Sequence, residues 1–140
     1  MAIDLGSLRQ ALATLERAMG ALQPPERFEA LDADIQETLQ AGVIQSFEFS
    51  YELSWKYMER WLRENADSLE AAPRTRKDLF RAAARRGLIE EPVRWFAYTE
   101  ALNLSSHTYD AHKATQVLES VASFHTDAVF LLRQLERAND

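Results

Sequence analysis

The chain opens on a helical repeat of apolar residues. These positions recur three and four residues apart along one stripe: Leu5, Leu8, Leu12, Leu15, Met19 and Leu22. Such spacing places them on one side of an α-helix. Pro24 and Pro25 follow the stripe, and proline lacks the amide hydrogen that would continue a helix. The pattern therefore predicts a first helix that ends near Gln23.

A second helix is predicted from near Phe28 to about Asn65. Residues 47–53 alternate apolar and polar side chains, which is also typical of a strand, but helical spacing on both sides favours a helix. Upstream, that spacing is carried by Leu31, Ile35, Leu39 and Val43. Read as a helix, the segment has two apolar faces: Phe47, Tyr51, Trp55 and Met58 on one, and Phe49, Leu53, Tyr57 and Trp61 on the other. One face can fill a core, so the other needs cover from another helix or another subunit.

Three further helices are predicted in the second half of the chain. A short one spans about Thr75 to Arg86, with Thr75 as its N-cap and Gly87 just past its end. A fourth begins at Pro92, because proline suits a first helical turn. A fifth begins after Asp110, a typical N-cap residue, and its core stripe is Ala114, Val117, Val121, Phe124, Ala128, Leu131 and Leu135. We therefore predict one domain over residues 1–140, an all-α, up-and-down four-helix bundle with one additional short helix.

Composition narrows the class of protein. The net charge is −6, which argues against nucleic-acid binding through a broad basic surface, although six cations lie between Arg74 and Arg86. Cysteine is absent, so thiolate zinc sites and cysteine nucleophiles are excluded. No apolar run approaches the roughly 20 residues of a membrane span, and the expected location is the cytoplasm. The 3 Trp, 4 Tyr and 7 Phe exceed what one small core would hide, so we predict a homodimer with part of the second helix at its interface.

Candidate chemistry is concentrated in the polar break at residues 103–110, which holds Asn103, Ser106, His107 and Tyr109. An imidazole can accept and donate a proton near neutral pH, as a general acid or base must. A lone histidine is more often structural, and hydroxyls at a helix end commonly satisfy backbone groups. The spacing of the nearby histidines and Asp110 matches no familiar metal site. No phosphate-binding glycine loop is present, so no metal or cofactor is expected.

Two stretches of the chain resemble a known family, the nucleotidyltransferase substrate-binding proteins. Residues 43–56, with the sequence VIQSFEFSYELSWK, are similar to the signature second helix of that family. Gly87-Leu88-Ile89, Trp95 and residues 103–109 follow in the family's order, and the resemblance covers roughly residues 5 to 135. The resemblance implies a HEPN-type bundle, a homodimer, and a separate minimal nucleotidyltransferase as partner.

The resemblance also implies two alternative functions. The main expectation is a non-catalytic substrate-binding subunit that docks the separate enzyme, with Asn103, Ser106, His107 and Tyr109 lining a cleft that Trp55 supports. The alternative is a ribonuclease toxin neutralised by its nucleotidyltransferase, with His107 as the general acid or base and nucleotide or RNA bound at the cleft. Tyr109 would then be the residue that accepts an adenylyl group from the partner.

One departure from the family decides between these expectations. The resemblance implies an arginine where this chain has Leu102. An arginine would orient a phosphate and stabilise charge that develops on it, and a leucine can do neither. Arg94 lies eight residues earlier, so it is not an evident substitute on the same helix. The sequence therefore favours the non-catalytic subunit.

Overall fold

The computed structural model describes residues 2–65 and 73–139, and these residues form six α-helices and no strand. Four helices are long: α1 (Gly6–Gly20), α3 (Ala33–Asn65), α5 (Pro92–Leu104) and α6 (Ala111–Asn139). Two are short: α2 (Pro25–Glu29) and α4 (Arg76–Arg85). The predicted all-α bundle is confirmed. The predicted single domain over 1–140 includes residues 1, 66–72 and 140, which lie outside the described ranges.

An aromatic cluster holds α3, α5 and α6 together. Phe124 of α6 is fully buried and meets four rings: Phe47 and Tyr51 of α3, and Trp95 and Tyr98 of α5. Its ring centroid lies 5.1 Å from that of Phe47 and 5.4 Å from that of Tyr98, both edge to face. That geometry is favourable for aromatic pairs. The leucine stripe of α1 packs on α3 and α6 beside this cluster.

The predicted start of the second helix is wrong. The chain does not enter a single helix near Phe28, because α2 ends at Glu29 and α3 begins only at Ala33. The side-chain amide of Gln36 donates to the carbonyl oxygens of Glu29 and Leu31, at 3.2 and 2.8 Å. These bonds satisfy carbonyl groups that the end of a helix leaves without partners. No glycine or proline marks this break, so nothing in the local sequence indicated that the helix is interrupted here.

The fold buries the two apolar faces of α3 to different extents. The first face is in the core, with Phe47, Tyr51 and Met58 fully buried. The second face is covered in part by the chain itself, since the hydroxyl of Tyr57 donates to the Asp4 carbonyl at 2.8 Å. Phe49 on this face stays 60% exposed. The cover that this face was expected to need is therefore supplied in part by the chain itself, and Phe49 remains exposed.

The helix ends predicted at Thr75, Gly87 and Asp110 are confirmed by hydrogen bonds. Thr75 accepts from the Asp78 amide at 3.0 Å, and Asp110 accepts from the His112 amide at 2.9 Å. Gly87 has a φ of +79°, and the amides of Gly87 and Leu88 donate back into the last turn of α4. This is the left-handed termination that glycine favours. Within the described ranges, no helix combines the length and apolar character needed to cross a lipid bilayer.

Candidate active site at the end of helix α5

The polar break is a compact turn attached to α3. Helix α5 continues into a single 3₁₀ turn, Ser105–His107, before α6 begins at Ala111. The buried Ser105 hydroxyl lies 2.8 Å from a carboxylate oxygen of Glu48 and 2.6 Å from the Leu102 carbonyl oxygen. Its single hydrogen is shared between these two acceptors. The contact with Glu48 fixes the turn against α3, and sequence reasoning assigned neither Ser105 nor Glu48 a role in the site. In the sequence, Glu48 stood out only because it lies within residues 43–56, the stretch that resembles the second helix of the family.

His107 and Tyr109 lie side by side at the surface. Both are exposed, and Tyr109 is 85% exposed. The Tyr109 hydroxyl is 3.5 Å from Nδ1 of His107, and the two ring centroids are 5.9 Å apart in an edge-to-face arrangement. An imidazole in this position can reach a ligand from solvent, unlike a histidine that serves only as a buried hydrogen-bonding group.

Asn103 and Ser106 are also exposed in the same turn. The Ser106 hydroxyl donates to the carbonyl oxygen of Asn103 at 3.1 Å, which is an ordinary helix-end contact. The structure thus gathers four of the predicted site residues, Asn103, Ser106, His107 and Tyr109, on one exposed segment. Among the described residues, no group of three or more histidines and carboxylates could hold a metal ion.

Trp55 lies apart from this segment. Glu48 marks the level of α3 that meets the turn, and Trp55 is seven residues further on, about 10 Å along the helix axis. The guanidinium of Arg76 stacks on the Trp55 ring, 3.8 Å from its centroid. The indole nitrogen of Trp55 is buried and has no acceptor among the described residues. Trp55 is therefore positioned beside Arg76 rather than beside His107.

A hydrogen-bonded relay connects Arg76 to α5. Thr99 donates its only hydroxyl hydrogen to the Trp95 carbonyl oxygen at 3.1 Å. The Tyr51 hydroxyl, which lies within hydrogen-bonding distance of Thr99, must therefore donate to it. Arg76 in turn donates to the Tyr51 oxygen at 3.2 Å. These bonds join α3, α4 and α5 at the level of Thr99, which is one helical turn before Leu102.

Arg94 is engaged elsewhere. Its guanidinium donates two bonds to Asp127 of α6, at 2.9 and 3.0 Å, and the hydroxyl of Tyr98 donates to the same carboxylate. The hydrogen bond to Asp127 raises the pKa of Arg94 above its ordinary value. Burial, followed by the bond to Asp127, raises the pKa of Tyr98 well above its usual 10.0. Arg94 therefore holds α5 against α6, in agreement with the expectation that it does not replace an arginine at Leu102.

A groove of about 360 Å³ adjoins Tyr109. It lies between the first half of α3 and the start of α6, and its polar lining includes Gln36, Glu37, Gln40 and Thr115. Together with the exposed imidazole, it makes the end of α5 the candidate site of the molecule.

These features define a HEPN-type all-α bundle with an exposed histidine and tyrosine after its penultimate helix. The chain belongs to the nucleotidyltransferase substrate-binding protein family, whose model matches residues 3–137. A solved structure from Haemophilus influenzae, described as revealing the fold of a substrate binding domain of a nucleotidyltransferase, superimposes with a TM-score of 0.89. It is 38% identical and covers 95% of this chain and 99% of its own. A Thermus thermophilus structure that is 22% identical shares the fold, with a TM-score of 0.73 over 91% of this chain and 98% of its own.

A curated relative corrects the main functional expectation. The chain is 38% identical to the probable ribonuclease HepT of Haemophilus influenzae, over 98% of this chain and 94% of the relative. The expectation of a non-catalytic substrate-binding subunit is therefore wrong, and the ribonuclease alternative is the better supported. That expectation gave decisive weight to one side chain, Leu102. The ribonuclease alternative assigns proton transfer to His107 rather than to residue 102, and this imidazole is exposed at the helix end.

Proposed function

We propose that this protein is a HEPN-type ribonuclease toxin that acts in the cytoplasm and is neutralised by a separate minimal nucleotidyltransferase. The observation that carries the proposal is the exposed imidazole of His107 in a chain that aligns almost end to end with a probable ribonuclease. Membership of the family implies association with a nucleotidyltransferase. The partner supplies the regulation, and this chain supplies the cleavage.

The reaction proposed for His107 is transfer of the RNA phosphate to the neighbouring 2′-oxygen. The imidazole accepts the proton of the ribose 2′-hydroxyl, and the 2′-oxygen forms a bond to phosphorus. The bond from phosphorus to the 5′-oxygen breaks, and the departing oxygen takes a proton from an imidazolium or from water. The products are a 2′,3′-cyclic phosphate and a 5′-hydroxyl end. Exposed Asn103 provides an amide that can hold the substrate in place.

The direct test is incubation of the purified protein with single-stranded RNA, alone and with its nucleotidyltransferase partner. We expect the free protein to release fragments with 5′-hydroxyl ends, and the partner to slow their release. Absence of cleavage by the free protein, together with unimpaired growth of cells that express it without the partner, would refute the proposed function.

The protein is also proposed to act as a homodimer through α3. Phe49 is 60% exposed and lines an apolar groove of about 450 Å³ between α1 and α3. Exposed aromatic side chains of this kind are enriched at protein interfaces. We expect Phe49→Glu to convert the dimer to a monomer in light scattering at micromolar concentration. The matched control is Val93→Glu, at an apolar residue of α5 that is 62% exposed and should leave the dimer intact. A monomeric wild-type protein would contradict this assignment.

Tyr109 is proposed as the residue through which the partner silences the site. Its phenol is 85% exposed and adjoins the imidazole. Attack of the phenol oxygen on the α-phosphorus of ATP would expel pyrophosphate, release the phenol proton, and leave an AMP group beside His107. We expect incubation with the partner and ATP to add the mass of AMP to the wild type and not to Tyr109→Phe. An unchanged intact mass of the wild type, or equal labelling of both proteins, would contradict this role.

A further inference from the structure

The groove between α3 and α6 is continuous with the turn that carries His107. Thr108 and Tyr109, the two residues that follow His107, both line this groove. The Tyr109 hydroxyl lies 3.5 Å from Nδ1 of His107, and the two rings meet edge to face. A molecule bound in the groove therefore contacts a side chain that is itself in contact with the imidazole.

The size and walls of the groove suit one small organic group. Its volume of about 360 Å³ lies within the range of about 300–1,000 Å³ that is usual for small-molecule sites. The apolar part of its lining consists of small side chains and one isoleucine: Ala33, Ala41, Ile44, Ala111 and Ala114. Small side chains leave room for a flat ring between the two helices.

The charge of the lining argues against a phosphate as the occupant. Among the described residues that line the groove there is no lysine, arginine or histidine, and Glu37 is the charged one. A carboxylate repels a phosphate and accepts hydrogen bonds from a neutral N–H group. The groove therefore favours an uncharged group that carries N–H donors.

Two of the polar side chains in the groove offer only an acceptor. The side-chain amide of Gln36 donates to the carbonyl oxygens of Glu29 and Leu31, at 3.2 and 2.8 Å, which uses both of its hydrogens and leaves its oxygen. Thr115 donates its hydroxyl hydrogen to the Ala111 carbonyl oxygen at 3.0 Å, which also leaves only an oxygen.

Glu37 and Gln40 complete the polar lining from α3. Neither side chain has a hydrogen bond or an ion pair with another described residue. Gln40 can donate and accept, whereas the Glu37 carboxylate can only accept. Every lining side chain that is restricted to one hydrogen-bonding role, namely Gln36, Glu37 and Thr115, is thus an acceptor.

This surplus of acceptors fits one of the four RNA bases best. Unpaired RNA bases stack on aromatic side chains and are recognised by hydrogen bonds to their edges, and the Tyr109 ring is 85% exposed. Guanine carries N–H donors on N1 and N2, side by side on one edge, so a single carboxylate can accept from both. Adenine and cytosine each offer one amino group, and uracil offers one ring N–H.

We propose that this groove binds a guanine base of the RNA, in the nucleotide next to the cleaved phosphate. Glu37 accepts from N1 and N2 of the guanine, and Tyr109 stacks on its ring. One ribose joins a base to its phosphate, so a base held against Tyr109 leaves the phosphate within reach of His107. This inference rests on the proposed ribonuclease function and adds a base preference to it.

The first test maps where the protein cuts RNA of random sequence. Sequencing of the fragment ends gives the frequency of each base on both sides of the cut. We expect guanine on one side to be favoured at least tenfold over uracil, because a good bidentate contact to a base distinguishes it by roughly 5- to 150-fold. Equal base frequencies on both sides of the cut would overturn the proposal.

A pair of matched variants tests the role of Glu37 in this preference. Glu37→Gln replaces one carboxylate oxygen with a donor, and it should reduce the preference for guanine to less than threefold while RNA is still cut. The control is Glu119→Gln, the same change at an exposed residue of α6 outside the groove, which should keep the wild-type preference. Melting temperatures establish that both variants are folded. The same preference for guanine in both variants would contradict the proposal.

A variant that fills the groove provides an independent check. Ala41 lines the groove and is exposed, so a larger side chain there does not enter the core. Ala41→Phe should abolish the preference for guanine because its ring occupies the space of the base. A folded Ala41→Phe variant that still prefers guanine would show that the base binds elsewhere.

Binding of oligonucleotides that cannot be cleaved separates this inference from the proposed function. Two labelled 2′-deoxy oligonucleotides that differ only in one guanine or adenine are compared by fluorescence anisotropy. A wild type that cleaves no RNA refutes the ribonuclease assignment, and these data then decide the role of the groove. Binding that is at least tenfold tighter with guanine, and not in Glu37→Gln, supports the proposal, and equal binding overturns it.

Competition with free mononucleotides distinguishes RNA from the adenylyl group proposed for Tyr109. GMP should displace the guanine oligonucleotide at a concentration at least tenfold lower than AMP does. Stronger displacement by AMP would show that the groove holds the adenine of the modifying group, and it would overturn the assignment to an RNA guanine.

Discussion

Replacing His107 with alanine is expected to reduce RNA cleavage by at least about 100-fold, because general acid–base catalysis by a positioned side chain contributes roughly that factor or more. The imidazole is exposed, and its hydrogen-bond and ring contacts among the described residues are to Tyr109. Its removal should therefore leave the fold unchanged while it eliminates proton transfer. The measurement is the initial rate of RNA cleavage by freshly purified protein at a fixed concentration.

The matched control is His112→Ala, at a second exposed histidine five residues further on. This variant should cleave RNA at the wild-type rate, and both variants should keep the wild-type melting temperature. Equal RNA decay in wild type and His107→Ala would identify a contaminating nuclease and refute the catalytic role of His107.

The largest loss of stability is expected for Phe124→Ala. Phe124 is completely buried and contacts aromatic rings on both α3 and α5. Removing a buried phenylalanine ring costs about 3–5 kcal/mol, from the lost transfer free energy and the cavity left behind. Globular proteins are typically stable by only about 5–15 kcal/mol, so the variant should be close to unfolding at 25 °C. Urea denaturation measures the free energy of unfolding.

Two controls make this result specific to the core. Phe124→Leu keeps most of the buried volume and should cost less than half as much as Phe124→Ala. Val93→Ala, at a residue that is 62% exposed, should change the free energy of unfolding by less than about 0.5 kcal/mol. All samples need the same protein concentration, because the proposed dimerisation would alter the apparent stability. A change below 1 kcal/mol for Phe124→Ala would show that the aromatic cluster does not hold the three helices together.

Most of the fold was predictable because the signals for it are local. The stripe of α6 from Val117 to Leu135 recurs with helical period, and it is buried as expected. Thr75, Gly87 and Asp110 mark helix ends because each satisfies or tolerates a backbone geometry that depends only on a few neighbouring residues. Most of the candidate site, from Asn103 to Tyr109, was also found from the sequence, since its polar residues are adjacent in the chain.

The break between α2 and α3 could not be predicted in this way. It depends on the side chain of Gln36 reaching the carbonyl groups of Glu29 and Leu31, and glutamine within a helix is otherwise unremarkable. The partial cover of the second face of α3 could not be predicted from the sequence for a similar reason. It depends on Asp4, which is 53 residues from Tyr57 in the chain.

Periodicity, capping residues and the run of polar groups around His107 thus define the helices, the buried stripes and the position of the candidate site, because each depends on residues a few places apart. Only the packed bundle determines how the charged side chains are paired and where they lie. It pairs Arg94 with Asp127, brings Glu48 to Ser105, and places Arg76 beside Tyr51 and Trp55. These contacts join residues that are 20 or more positions apart, and no local pattern in the chain records which helices pack side by side.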